Sequence, residues 1–353
     1  MAHGTTNAAM VTIGLDLGDR QTAGCVVDAG GQILERFQAR TTPTRLLAAV
    51  TRWPGARVVL EVGGQSPWVR RRLQAAGYGG VGANARRVRL IAEGDAKSDR
   101  LDAELLARLG RVDPALLAPI QHRSERTQRD LGVVKTRAAL VRMRTLGINH
   151  GRGVAKALGH RLPACAAEAF PARVRAQAVG ATLPGITELL AVLEQLTASI
   201  RALDRQLATL ATTRYPVTEL LRQVPGVGPL TALTYVLTLE DPTRFPRSRT
   251  VGAYLGLRPK RRDSGAQQPE LSITKAGDVL LRRHLVTAAQ YILGPFGPDT
   301  DLRRWGLALA GRGGKAAKKR AVVAVARKLA VLLHRLWLTG EVYEPVGYRA
   351  RAA

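Results

Sequence analysis

Along residues 11–39 the apolar positions fall in short runs of the strand type. "VTIGLDL" (11–17) is followed by "AGCVVDA" (23–29), the turn Gly30-Gly31, and "QILERFQA" (32–39), which alternates with period two. The pattern predicts a helix over 44–53, a buried strand at "ARVVLEV" (56–62), a helix over 66–76, a short strand at Tyr78–Ala83 and a helix at about 98–110. From about 122 to 212 the period becomes helical. Leu189, Leu193, Leu196, Ile200, Leu203, Leu207 and Leu210 alternate spacings of four and three, and Leu131, Val134, Ala138, Val141, Thr145 and Ile148 repeat this less regularly. Such a seam zips to another helix, within the chain or between chains. A third section opens with "LLRQVPGVGPLTALTYVL" (220–237), two apolar helices joined by a turn rich in Pro and Gly, the pattern of a helix–hairpin–helix. "KAAKKRAVVAVARKLAVLLHRLWLTG" (315–340) predicts a helix with Val322, Val325, Leu329, Leu332 and Leu336 inward, stopped by Gly340.

Three antiparallel strands followed by alternating helix and strand is the order of an RNase H-like α/β domain. The expected class is therefore α/β plus all-α: an RNase H-like (RuvC-like) domain at 1–121, a helical coiled-coil region at 122–212, and a mainly helical domain with the helix–hairpin–helix at 213–353. A chain of 353 residues has room for each to bury a core. No apolar run approaches the roughly 20 residues of a membrane span, and "MAHGTTNAAM" has neither a basic nor an apolar leader region. Cys25 and Cys165 read as ordinary reduced thiols.

Charge changes the picture. The chain carries 54 Lys+Arg against 27 Asp+Glu, a net charge of +27, which implies a polyanionic partner. Aromatic content of 4% disfavours base stacking along a single strand as the main binding mode, so salt-dependent phosphate contact is expected. Gly226 and Gly228 would let backbone N–H groups approach a phosphate, where a plain inter-helix turn is the simpler alternative. Lys315, Lys318, Lys319 and Arg320 read as nucleic-acid contacts, or else as a solvated face.

Against this basic background "AEGDAKSDRLDAELLARLG" (92–110) gathers Glu93, Asp95, Asp99, Asp102 and Glu104. In an RNase H-like sheet the first and fourth strands are neighbours, so Asp16 and Glu61 at their ends can converge. Asp99 and Asp102, three apart, share one face of the helix that covers that edge. Four such carboxylates repel unless a divalent cation holds them, and Mg²⁺, two ions per site, suits oxygen ligands and phosphoryl transfer. Taken singly, Asp16 is a turn cap, Glu61 a surface ion-pair partner, Asp99 an N-cap and Asp102 a first-turn charge. Glu93, Asp95 and Glu104 read as solvated.

Together "IGLDLGDRQTAGCVVD", "VVLEVGG", "KSDRLDAELLARL", "QVPGVGPLTALTYVL" and "FPRSRTVGAYLGLRPKRRDSG…LSITKAGDVLLRRHL" resemble the DEDD transposases of the insertion sequence 110/1111 family. The resemblance implies metal ligands at Asp16, Glu61, Asp99 and Asp102 and a nucleophilic serine at Ser264. Around that serine, "RRD" and "AQQPE" are bulkier than is common in the family. It further implies DNA contacts from Arg261, Arg262, Lys275, Arg282 and Arg283, target and donor DNA as substrates, and a noncoding guide RNA. A homo-oligomer is implied too: a dimer or a tetramer built from dimers, with the heptad seam as one interface and metal and serine from different subunits. The expected location is the bacterial cytoplasm, at the nucleoid. A serine hydroxyl needs a base or a metal to activate it, and Asp263 or a site carboxylate is a guess for that base. On spacing alone "RRDSG" is a basic surface turn. Two readings compete within the polyanion class: a RuvC-like structure-selective endonuclease using water, and a non-catalytic nucleic-acid scaffold. "IGLDLG" also opens actin-like and sugar-kinase ATPases, but the second phosphate loop of that class has no convincing counterpart.

Overall fold

The computed structural model describes residues 11–86, 88, 98–177, 182–262, 264 and 271–347. These form two compact units, divided between Ser124 and Glu125.

The first unit is built on a five-stranded sheet: β1 (Thr12–Leu17), β2 (Gln21–Val27), β3 (Ile33–Arg40), β4 (Arg57–Glu61) and β5 (Gly80–Ala83). The strand order is β3-β2-β1-β4-β5. β1 pairs antiparallel with β2 and parallel with β4, β2 is antiparallel to β3, and β4 is parallel to β5. This mixed order is consistent with an RNase H-like domain. The strand after the first turn begins at Gln21, two residues before the apolar run that predicts it.

The two faces of the sheet differ in side-chain size, and this sets the layers. Ile13, Leu15, Val26, Val58 and Leu60 face Leu46 and Val50 of α1 (Pro43–Thr51) and Val69 and Leu73 of α2 (Ser66–Ala75). The opposite face carries Ala23, Cys25 and Val27 against Ala103 and Ala107 of α3 (Asp99–Val112). Small residues let α3 lie almost on the backbone. A Cβ at Gly14 would stand 2.1 Å from the Ala103 carbonyl oxygen and 2.5 Å from the Ala107 nitrogen. Burial raises the Cys25 thiol, with Glu104 adding to the effect, which keeps it protonated.

The second unit is helical. α4 (Glu125–Ala157) and α6 (Ile186–Arg214) form a long pair, with α5 (Phe170–Arg175) beside them. They run antiparallel: Gly151 and Gly147 of α4 abut Leu189 and Leu193, Arg137 pairs with Asp204 at 2.7 Å, and Leu131 and Val134 meet Leu207 and Leu210. The seam's partner is thus a helix of the same chain. Of its apolar positions Leu193, Ile200, Leu207 and Leu210 are buried, and Leu189, Leu196 and Leu203 are half-buried. α7 (Val217–Arg222), α8 (Pro229–Leu239), α9 (Arg249–Tyr254), α10 (Val279–Leu293) and α11 (Asp301–Ala310) surround α12 (Gly314–Thr339). Val325, Leu329, Leu333 and Leu336 of α12 are fully buried, and Gly340, at φ 68°, caps it. Among the described residues no helix is long and apolar enough to cross a membrane.

Candidate active site

Asp16 and Glu61 occupy matching places on adjacent strands. The parallel register pairs Gly14 with Val59 and Leu15 with Leu60, so each acid follows the last pair. Alternation puts Asp16 on the Gly14 face and Glu61 on the Val59 face. Both are the α3 face: Gly14 lies under Ala103, and a Cβ at Gly110 would stand 2.3 Å from a Val59 methyl. The same contacts orient α3. Ala103 and Ala107 lie over Gly14 and Gly110 over Thr12 and Val59, so the helix runs antiparallel to β1. Its first turn, with Asp99 and Asp102, is therefore directed toward the strand ends that carry Asp16 and Glu61. Ser98 starts the helix, its hydroxyl accepting from the Leu101 N–H at 3.4 Å. Asp99 and Asp102 sit in the turn where the macrodipole favours negative charge.

The fold brings all four acids to one end of one layer, with Asp99 exposed and the other three half-buried. It does not bring three of them within reach of one ion. Among the described residues no group of three or more His, Cys, Asp or Glu is placed to hold a metal. The donor set itself, carboxylate oxygen throughout, fits a hard divalent cation. Glu93 and Asp95 lie outside the described residues.

Glu104 is not solvated, contrary to the sequence expectation. It accepts from Arg36 of β3 at 2.7 Å and from Arg108 at 2.8 Å, tying the sheet edge to α3. The hydrogen bond from Arg36 is the main cause holding its carboxyl below the ordinary glutamate range, followed by that from Arg108. A depressed folded-state pKa stabilises at pH above the unfolded value, and the contribution disappears as pH falls through the folded value. Glu104→Gln is therefore expected to lower the denaturation midpoint at neutral pH. Its difference from wild type should shrink as pH drops below about 4. Equilibrium unfolding at the two pH values reads this.

Ser264 is exposed and sits on a loop with a well-defined base. Lys260 N–H donates to Ser272 at 3.0 Å, Thr274 N–H to Arg258 at 2.9 Å and Lys275 N–H to Gly256 at 3.1 Å, forming a short antiparallel ladder. Gly256 and Gly277, at φ 68° and 72°, allow the legs to close. A Cβ on either would stand 2.1–2.2 Å from backbone atoms of the other leg. Arg282 is buried, and its Nη1 donates to the carbonyls of Leu255 at 3.0 Å and Ala276 at 2.7 Å. It holds the base of the Ser264 loop together, which corrects its expected role as a phosphate contact. This clamp, with Gly256 and Gly277, is a feature of the loop base that no local pattern in the sequence announces beyond the paired glycines. Asp263, one guess for the general base, lies outside the described residues.

The predicted hairpin is a tight turn between α7 and α8. Gly226, at φ 84°, is seated on α10, its Cβ position 3.0 Å from the Ala288 carbonyl oxygen and 3.2 Å from the Tyr291 ring. Packing thus accounts for Gly226. Gly228, the N-cap of α8, has open space around it. Arg261, Arg262, Lys275, Arg283, Lys315, Lys318, Lys319 and Arg320 are exposed. Lys319 and Arg320 border a groove of about 1120 Å³ along α12 whose walls include Leu257, Leu302, Trp305, Val323 and Leu332.

Two family models match the chain. One, described as "Transposase" and belonging to the DEDD type of IS110, covers residues 13–158. The other, described as "Transposase IS116/IS110/IS902 family", covers residues 218–300. Similar proteins include the transposase for insertion sequence element IS1111A of Coxiella burnetii, 28% identical over 345 residues, covering 94% of this chain and 90% of that protein. The transposase for insertion sequence element IS1328 of Yersinia enterocolitica is 27% identical over 288 residues, covering 79% and 82%. The first matched range spans the positions of Asp16, Glu61, Asp99 and Asp102, and the second those of Ser264 and the hairpin.

Proposed function

Because the chain belongs to the IS116/IS110/IS902 family of transposases, whose activity is to cut and rejoin DNA, we propose that it does so through a Mg²⁺-dependent covalent phosphoserine intermediate. The observation that carries this reading is the placement of Asp16 and Glu61 side by side on the α3 face, with Asp99 and Asp102 directed to the same end. Magnesium held by these four carboxylates supplies charge neutralisation for a phosphodiester. Asp16, Glu61 and Asp102 are half-buried and Asp99 is exposed, so none of the four carboxylates is sealed from solvent.

In the proposed reaction the Ser264 hydroxyl attacks phosphorus. An O–P bond to serine forms, the bond to one DNA oxygen breaks, and that strand leaves as a hydroxyl after taking up a proton. The phosphoserine conserves the energy of the broken bond, so a second DNA hydroxyl can displace the serine and reseal the backbone without a nucleotide cofactor. The Arg282 clamp and the glycine-closed base hold the loop, while Arg261 and Arg262 flank it with positive charge suited to phosphate. Lys275, Arg283, Lys315, Lys318, Lys319, Arg320 and the open hairpin at Gly228 are proposed backbone contacts, which position the protein without reading sequence. Sequence would be read by a bridge-type noncoding RNA pairing with target and donor DNA, in keeping with many arginines and few aromatics.

We also propose a homo-oligomer, dimeric or tetrameric. With the seam spent inside the chain, the outward face of α4, where Met143 and Leu146 are exposed, is the better candidate for it. The proposal is tested by incubating the protein with guide RNA and labelled target and donor DNA. A denaturing gel should show a protein–DNA adduct in Mg²⁺ that is lost on chelation. An adduct unaffected by chelation counts against the metal, and cut DNA without an adduct points to water as nucleophile.

A further inference from the structure

The loop between α10 and α11 holds Phe296 in water, 82% exposed, within the stretch Gly294-Pro295-Phe296-Gly297-Pro298. Exposing a ring of this size forgoes the gain of burying it, so the way the loop is held matters. It is pinned from several sides. Arg303 Nη1 donates to the carbonyls of Ile292 at 2.5 Å and Gly294 at 2.6 Å. Gly294 N–H donates to Tyr291 at 3.1 Å and Gly297 N–H to Gly294 at 3.3 Å. Gly297 is wedged beneath the ring's backbone: a Cβ there would stand 2.3 Å from the Ile292 carbonyl oxygen. Pro295 and Pro298 fix φ on either side of the phenylalanine and its glycine. The ring is thus presented by a preorganised support, at little ordering cost on binding.

Its surroundings say what it meets. Tyr291, 47% exposed, is the next aromatic back along the chain, and its ring touches the hairpin at Gly226. Behind it on α10, Arg283, Thr287 and Gln290 are exposed, and Asp299 beyond the loop is neutralised by Arg304. The chain's 54 Lys+Arg against 27 Asp+Glu favours a polyanion as what the ring meets. A stacked pair of bases takes such a ring between two flat faces, while phosphates outside meet amide and guanidinium groups.

We propose that Phe296 is a wedge that enters a base step of bound DNA, while the hairpin beside it at Gly228 holds the adjoining phosphate. This rests on the reading of the hairpin as a backbone contact. Pyrimidine–purine steps, being the easiest to unstack, are the preferred point of entry.

The test uses the full-length chain and DNA duplexes carrying 2-aminopurine beside a central TA step, at low salt where non-specific binding suffices. Wild type should raise 2-aminopurine fluorescence at saturation. Phe296→Ala should lose the rise and bind about 5- to 100-fold more weakly, whereas Phe296→Leu, still an apolar wedge, should keep the rise. Gly228→Glu has room for its side chain and puts negative charge at the phosphate position. It should weaken binding to every duplex yet preserve the rise at saturation. A full rise with Phe296→Ala overturns the wedge. Equally, a change in molecular mass by light scattering with unchanged fluorescence would make Phe296 a contact between copies. Unweakened binding by Gly228→Glu, with the rise still dependent on Phe296, would instead sink the hairpin reading alone.

Discussion

Replacing Glu61 with Gln, or Asp102 with Asn, is expected to abolish DNA cutting and joining while leaving the protein folded. Each substitution keeps shape and removes one negative charge from the end of the α3 layer. Neither side chain is fully buried, and a substitution away from the core changes stability by no more than about 0.5 kcal/mol. For Asp102 the loss of a favourable helix-dipole charge adds about 0.3–1 kcal/mol. Loss of one member of a group acting as a unit costs on the order of 10³-fold or more in rate, about 4 kcal/mol at the transition state. The catalytic effect therefore exceeds the structural one several-fold. Thermal unfolding and strand-transfer assays on the same preparations separate the two. A non-catalytic scaffold would show only the small change in stability, with DNA processing unaffected.

The second large effect belongs to Ser264. Ser264→Ala should eliminate the covalent protein–DNA adduct and all rejoining, with DNA affinity within about two-fold of wild type, since phosphate contacts come from many cations. An exposed loop position tolerates alanine at little cost in stability. The outcome divides two enzymes with the same carboxylates: a hydrolase that uses water keeps cutting after this substitution, and a transferase that uses serine stops. Cutting that persists at wild-type rate without an adduct would establish the hydrolase.

Much of this was readable from the residues alone. Period-two alternation in "QILERFQA" and the unbroken apolar run in "ARVVLEV" placed β3 and β4 because one strand is half-buried at an edge and the other is enclosed. The i, i+3 spacing of Asp99 and Asp102 placed both on one helix face, but relating them to Asp16 and Glu61 required strand order, which no local pattern contains. What the sequence hid is long-range. Glu104 looked like surplus charge because its partner Arg36 is 68 residues away. Arg282 looked like a phosphate contact because a basic residue in a basic stretch gives no sign of burial, and its acceptors are carbonyls. The seam from Leu189 to Leu210 announced that it needed a partner, yet periodicity carries no information on whose helix supplies it. Gly147 and Gly151, whose missing side chains admit Leu193 and Leu189, were the local hint that it is the chain's own.

Binding of Mn²⁺ to the full-length protein, followed by electron paramagnetic resonance with and without DNA, tests most directly whether the four acids form a metal site. Wild type should take up the ion, most tightly with DNA present, and Asp16→Asn and Glu61→Gln should each abolish that uptake while remaining folded. Equal uptake by wild type and both variants would contradict the account.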